Sequence, residues 1–333
     1  MTKCLIIGSG IVGLITAYEL KKSGCDVTII DKQKPGQSSM SAAGILFPLE
    51  PWENKKYMQD LCIAGHNEYN KFFSNFTSLE KDKIGYEKKS ILLFGEKIDL
   101  ARDWYKERTD IKSKYTSEML NTVENSIKEK HEKFLQIPDI SIINPEKFLF
   151  FLRDLLSKSG VNFSNEEIDK LDKFLKKKDS HLYDFIIVSA GSWSNSILDK
   201  KNIKMKPIKG QLLHIKTNKK LINNILIYNN YYIVQRKDNE MVVGATLEDV
   251  GFDTELTESG KNFLEKSLSD LFLEKIEIFN IEQTFGFRPH ADKKEPYVCL
   301  DPCNKKIIYN FGHYRYGILT AIPSAKIVKR LVS

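Results

Sequence analysis

The chain has 333 residues, of which 41% are hydrophobic and 29% charged, and it carries a net charge of +7. That length supports a substantial core in one or two domains, and the composition excludes disorder on the scale of the whole chain. The positive balance is mostly Lys scattered among nearly as many acids, which predicts a solvated surface and no specific nucleic-acid partner.

Residues 4–7 form a continuous apolar run, the pattern of a strand buried on both faces. Residues 11–23 follow with helical spacing, placing Leu14, Ala17, Tyr18 and Leu20 on one side and stopping at Gly24. A second buried strand at 27–30 completes a βαβ unit of roughly 30 residues. The next helix is predicted over 57–76, with Leu61, Ala64, Tyr69, Phe72, Phe73 and Phe76 as its apolar positions. Residues 97–137 are rich in Lys and Glu and read as solvent-facing helices and connections. Asn144-Pro145 opens another helix, which carries Phe148, Phe151, Leu152, Leu155 and Leu156. A mixed-charge surface excursion covers 166–180, and 185–188 is again a buried strand, ending in Ala190-Gly191.

Beyond Pro207 the pattern turns to alternating strands. Residues 231–236 and 241–245 flank a turn at 237–240, which is a hairpin signal. A helix over 258–276, a strand across 279–287, a buried strand at 307–311 and a last helix over 317–331 complete the chain. Buried parallel-type strands at the start, middle and end enclose antiparallel hairpins. The expected fold is therefore α/β with an α+β part: a Rossmann-like dinucleotide domain interleaved with an antiparallel-sheet substrate domain. The expected boundaries are 1–50, 140–206 and 290–333 for the first, and 51–139 and 207–289 for the second.

Cys4, Cys25, Cys62, Cys299 and Cys303 are scattered and odd in number, which argues against a disulfide framework and fits a reducing, cytoplasmic setting. No metal-ligand set is completed around them. No apolar run approaches the ~20 residues that span a bilayer, and the first residues do not read as a signal peptide.

Gly8-Ser9-Gly10-Ile11-Val12-Gly13 matches G-x-G-x-x-G between the first strand and the first helix. The first glycine permits a tight turn, the second lets the backbone approach a pyrophosphate, and the third lets helix and strand pack closely. The helix start offers free N–H groups and partial positive charge to the phosphates. Asp31, at the end of the second strand, is placed to accept hydrogen bonds from ribose hydroxyls. A run of small residues from Ser38 through Ser39, Ala42, Ala43 and Gly44 to Ile45 allows the backbone to lie against a flat ligand.

These motifs, with Ala190-Gly191-Ser192-Trp193, Phe287-Arg288-Pro289 and the stretch from Gly312 to Ile318, occur in the order of the D-amino-acid oxidase-like FAD oxidoreductases, and residues 231–249 and Lys209-Gly210-Gln211 are similar to glycine oxidase within that group. The chain resembles that family from first strand to last helix, most weakly over 97–137 and 165–180. Within the family it is similar to the glycine oxidases of thiamine biosynthesis. The resemblance implies FAD as cofactor. It also implies a cofactor-binding set of Gly8, Gly10, Ile11, Val12, Gly13, Asp31, Lys32, Ser38, Ser39, Ala42, Ala43, Gly44 and Ile45. To these it adds Ala190, Gly191, Trp193, Gly312, Tyr314, Arg315, Tyr316, Gly317 and Ile318.

Ala43, Gly44 and Ile45 would lie along the flavin ring, and the backbone N–H groups of Gly317 and Ile318 would face its pyrimidine edge. Arg288 and Arg315 would capture a substrate carboxylate, joined by the hydroxyl of Tyr232. The sequence departs from the glycine oxidases at Asn230, Gln235, Tyr316 and His290, which leaves the substrate open among glycine, sarcosine and small D-amino acids. Relatives with covalent flavin carry a Cys shortly after the first arginine. Here His290, Ala291 and Asp292 stand there, so the FAD is expected to be non-covalent.

The expected reaction is hydride transfer from the α-carbon to the flavin, with oxygen or another acceptor taking the electrons. The imine product would hydrolyse to a keto acid and ammonia or an amine. A dehydrogenase with a non-oxygen acceptor, a flavin enzyme trimming a tRNA side chain, and a flavin-binding protein without turnover are the competing readings. A homo-oligomer is expected from the family alone. His66, on a helix, is expected to be structural, and Trp193 to pack.

Overall fold

The structure is a computed structural model that describes residues 1–108, 111, 114–116, 127, 134–198, 200, 202–272 and 276–333. Much of the Lys- and Glu-rich 97–137 stretch falls outside these residues, and the helix predicted over 258–276 ends at Leu271, where Phe272 turns extended. In chain order the strands are β1 (Lys3–Ile7), β2 (Asp26–Ile30), β3 (Glu87–Phe94), β4 (Lys114–Thr116) and β5 (Phe134–Ile142). Then come β6 (Asn162–Ser164), β7 (Phe185–Val188), β8 (Met205–Thr217), β9 (Ile225–Tyr228) and β10 (Tyr231–Gln235). The last are β11 (Glu240–Gly244), β12 (Ile278–Ala291), β13 (Tyr297–Leu300) and β14 (Ile307–Phe311). The helices are α1 (Ile11–Lys22), α2 (Lys56–Ser74), α3 (Ser78–Lys83), α4 (Ile98–Lys106) and α5 (Pro145–Lys158). They continue with α6 (Leu171–Leu175), α7 (Ser194–Leu198), α8 (Glu258–Leu271) and α9 (Gly317–Val332).

One sheet has the order β13-β14-β7-β1-β2-β6, parallel throughout except for the β13–β14 pair. Its inner strands β14, β7, β1 and β2 are largely apolar because both faces are covered, with side chains alternating between the two, while the edge strands β6 and β13 are partly exposed. From β1, Cys4 and Ile6 join α1, α5 and α9 in one buried cluster. Leu5 and Ile7 point to the other face, with Leu171, Phe174, Ile197 and Leu198 of α6 and α7. The start of α5 follows its sequence signal: Asn144 Oδ1 accepts from the Lys147 N–H at 3.1 Å, and Pro145 occupies the first turn, where its missing donor costs nothing.

The second sheet has the order β12-β8-β11-β10-β9-β3-β5-β4 and is antiparallel except where β3 runs parallel to β9. The predicted hairpin is β10–β11, with Tyr232 directly opposite Gly244. Helix α8 covers one face through Leu264, Leu268 and Leu271, and Ala43 and Phe47 lie in the cluster on the other. This mixed architecture, a parallel sheet joined to a largely antiparallel one, is the α/β fold expected from the sequence.

Helix α2, expected with the substrate part, buries Met58, Cys62, Tyr69 and Phe73 in the same cluster as α1 and α9. Gly65 lets the two backbones approach, since a Cβ there would sit 2.0 Å from Leu319 O. No helix among the described residues is long and apolar enough to cross a membrane. No group of three His, Cys, Asp or Glu residues among them could hold a metal.

Candidate active site

The glycine turn follows β1 because no other residue fits its contacts. Gly8 has φ +109°, and a Cβ on it would lie 2.5 Å from Ser189 O at the end of β7. A Cβ on Gly13 would lie 1.9 Å from Gly8 O, inside any permitted contact. The turn is further tied to Asp31, whose carboxylate accepts from the N–H and, at 2.8 Å, from the hydroxyl of Ser9. Ser39 Oγ accepts from the Ile11 N–H at 3.1 Å, which brings the small-residue run onto the first turn of α1.

That run is also fastened to β12. Ser41 donates to Phe285 O, the Phe287 N–H donates to Gly36 O at 2.9 Å, and Ser192 of the 190–193 segment donates to Phe287 O at 2.8 Å. The residue after Phe287 is Arg288, so one strand registers the cofactor candidates against the substrate candidate.

A cavity of about 390 Å³ runs from Asp31, Lys32 and Ser38 past Gly8, Gly10, Ile11 and Val12 to Ala43, Gly44 and Ile45. It continues to Gly312, Tyr314, Gly317 and Ile318, with Ala190, Gly191 and Trp193 on its wall. Gly44 has φ +82°, and a Cβ there would lie 2.0 Å from Ile143 O, so the backbone itself forms the surface at this point. Neither α1 nor α9 has an acidic residue in its first turn, which leaves the positive ends of both dipoles uncancelled. A trough walled by backbone and small residues, with a helix start at each end, fits a flat two-ring dinucleotide. The expected cofactor residues are thus brought to one cavity, apart from Gly13, which packs helix against strand beneath it. Trp193 stacks on Phe252 at 5.4 Å between ring centroids while also lining the cavity.

The excursion at 166–170 also lines this cavity. It is brought there by the pairing of β6 with β2 and by an ion pair between Lys34 and Glu167. Its mixed charges carry no local signal of this, because the cause is strand pairing.

At the other end, Tyr232, Arg288 and Arg315 all reach the cavity. Arg288 lies flat over Gly210, where a Cβ would meet its guanidinium at 2.2 Å. Its Nη1 donates to Thr246 O at 3.0 Å, and it ion-pairs with no carboxylate among the described residues. Lys209 and Gln211, either side of Gly210, hold the loop that carries Thr246. Lys209 Nζ is 3.0 Å from Asp253 Oδ2, and Gln211 Nε2 donates to Glu248 Oε1 and Thr257 Oγ1 at 2.8 Å. Burial pulls Arg288 below the ordinary arginine range and Arg315 adds to the effect, so an anionic ligand would be favoured there. Burial raises the Tyr232 hydroxyl, which keeps it a donor, while Arg288, Arg315 and Arg236 oppose that shift. Arg315, in contrast to Arg288, already holds a carboxylate: its Nη1 donates to Glu50 Oε2 at 2.9 Å.

Arg236 was not singled out in the sequence, yet it braces the small-residue run by donating to Ala43 O at 3.2 Å. Its partner Glu240 would be raised by burial, but His214 and Arg236 hold its carboxyl down at about 2. A carboxyl depressed in this way stabilises the fold above its ordinary value of 4.5 and loses that contribution as pH falls towards 2. Melting temperature should therefore fall over that window, and Glu240→Gln should flatten the fall while lowering stability at neutral pH.

The departures from the glycine oxidase pattern divide in two. Asn230 lines the cavity. Gln235 is fully buried away from it, and its side-chain oxygen accepts from the N–H groups of Leu221 and Ile222 at 2.6 and 2.9 Å. Tyr316 lines the cavity but turns its hydroxyl to Leu49 O and the Asn54 amide, closing the 49–54 segment against the start of α9. His290 stacks edge-on to Tyr314, with ring centroids 4.8 Å apart. His66 lies 3.0 Å from Leu46 O, a structural contact.

Fold and cavity together define a dinucleotide-dependent oxidoreductase, with one cavity running from the glycine turn on the parallel sheet to Tyr232 and Arg288 on the antiparallel one. A family model described as DAO, FAD dependent oxidoreductase, matches residues 3–331, and the chain belongs to that family. It is an enzyme of the glycine oxidase-like type. It is 22% identical to the glycine oxidase of Pseudomonas aeruginosa, covering 99% of this chain and 94% of that one. It is 24% identical to the bifunctional protein ThiO/ThiG of Trichormus variabilis over 97% of this chain, which spans 51% of that longer protein. Among solved structures, iminodiacetate oxidase from Chelativorans sp. BNC1 superposes with a TM-score of 0.86 at 22% identity, covering 99% of this chain and 95% of that one.

Proposed function

We propose that this chain oxidises a small α-amino acid or N-substituted glycine, such as glycine, sarcosine or a small D-amino acid, in the cavity between its two sheets. The observation that carries the reading is Arg288, a cavity-lining guanidinium with no carboxylate partner among the described residues, beside the hydroxyl of Tyr232. A planar fork of donors suits bidentate capture of a carboxylate, and Tyr232 adds a third donor. Because β12 also holds the small-residue run, the captured substrate would lie with its α-carbon towards Ala43, Gly44 and Ile45.

The glycine turn, the small-residue run and the start of α9 would hold FAD without a covalent bond, and the group would supply hydride acceptance, so that the oxidised substrate, an imine, would hydrolyse to a keto acid and ammonia or an amine. The start of α9 at Gly317 and Ile318 directs partial positive charge to where negative charge gathers as the hydride leaves the substrate. The side chains singled out here bind and orient, and none is placed as a nucleophile. Oxygen or another acceptor would take the electrons onward. The likeness to ThiO/ThiG supports a supplying role in thiamine biosynthesis.

The test is an anaerobic panel. Holoprotein mixed with glycine, sarcosine or D-alanine should lose its yellow flavin absorbance, and larger or non-carboxylate amines should not bleach it. Protein that takes up no FAD, or holds FAD and is bleached by none of the panel, would overturn the reading.

A further inference from the structure

We infer that Glu50 sets the charge class of the substrate, restricting the site to a single carboxylate by occupying the second arginine. The inference rests on the carboxylate-capture reading above. Three observations carry it. Glu50 lines the cavity, and its side chain is only 11% exposed. Its carboxylate is shared between Arg315, at 2.9 Å, and Lys97, so two cations at this end are already engaged. Its backbone is in the left-handed region, at φ +51° and ψ +49°, a conformation that costs a non-glycine residue energy and that the surrounding contacts must hold. Tyr316 donates to Leu49 O, and Asn54 donates to both Tyr316 Oη and Glu50 O, bonds that hold that conformation.

The charge count at the receptor follows. Arg288 faces the cavity uncompensated by any ion pair among the described residues. Arg315 is paired with Glu50, and Lys97 with Glu50 and Glu53. Arg236, which braces the far side of Ala43, is paired with Glu240. One guanidinium is left for the substrate. A monocarboxylate satisfies it. A dicarboxylate would bring a second negative charge towards Arg315, where it would have to displace Glu50 or lie beside it, and a like charge in a partly desolvated cleft is disfavoured. Removing the Glu50 charge frees Arg315, while Lys97 keeps Glu53 at 3.2 Å, and the same cavity then offers two unpaired guanidinium groups to two carboxylates.

The experiment compares wild type and Glu50→Gln as FAD-loaded protein, with binding and turnover read separately. Acetate and malonate are titrated against the flavin absorbance spectrum, and sarcosine and iminodiacetate are compared by kcat/KM. In wild type, acetate should bind at least as tightly as malonate. In Glu50→Gln, the preference for malonate over acetate and for iminodiacetate over sarcosine should each rise by about tenfold or more. Wild type that prefers malonate would overturn the inference even if the variant fails to fold. So would a variant that holds FAD with both preferences unchanged. A shift in the acetate and malonate titrations without bleaching by any amino acid would keep the role of Glu50 and remove the proposed oxidation. Bleaching by sarcosine with no shift would do the reverse.

Discussion

Arg288→Ala should leave the protein yellow and folded while KM for the amino-acid substrate rises by about 30- to 1,000-fold. That range corresponds to about 2–4 kcal/mol, the worth of charge-assisted hydrogen bonds made in a partly desolvated site. The flavin should stay bound because the Arg288 side chain bonds to the backbone of Thr246 and makes none of the contacts that hold the glycine turn and the small-residue run. Arg288→Lys should recover little, since an ammonium cannot present the paired donors of a planar fork. A companion variant tests placement without removing the charge. Gly210→Ala puts a methyl where the guanidinium now lies, at 2.2 Å, so the arginine must move while staying charged. It should raise KM with FAD content unchanged. Steady-state kinetics with flavin content as the control settle both, and wild-type KM in either variant would remove Arg288 from the substrate site.

Gly13→Ala should abolish FAD retention altogether. The new Cβ would lie 1.9 Å from Gly8 O and 3.5 Å from Ile6 Cγ2, with backbone on one side and core on the other, so no flexible side chain can yield. Pushing α1 off β1 carries the pyrophosphate-facing turn with it and costs about 3 kcal/mol in overpacking. The purified variant should be colourless, with a melting temperature lowered by several degrees, and excess FAD should not restore either property. Yellow protein with normal stability would contradict the packing described here.

How much of this was legible in the sequence depended on how local the cause was. The glycine turn could be read because its pattern lies within six residues and one of its steric contacts, Gly13 against Gly8 O, is local, although Gly8 itself is held against the distant Ser189 O. Four strands of the parallel sheet, β1, β2, β7 and β14, could be read because burial on both faces writes itself as apolar runs, as in residues 185–188. The partly exposed edge strands β6 and β13 carry no such run and were not read. Helix α2 was read as a helix, but its packing against α1 and α9 was not, since periodicity reports that a face is buried and not against what. The pairing of Arg315 with Glu50 joins residues 265 positions apart, and no spacing announces it. Arg236 was hidden for a related reason: a basic residue at a hairpin turn looks solvated until the sheet folds its fork onto Ala43 O. The segment at 166–170 read as surface because its composition is that of surface, and it borders the cavity through β6.

The strand order has one further consequence, for the history of each molecule. In the parallel sheet β1 sits between β2 and β7, and β7 in turn is flanked by β14, so neighbours in space are drawn from opposite ends of the chain. On the ribosome the glycine turn is made about 300 residues before the far wall of the trough at Gly312–Ile318. Such long-range closure is slow and leaves apolar strands exposed while it waits. The half-built protein therefore has no complete place for its cofactor, and capture belongs to the finished chain.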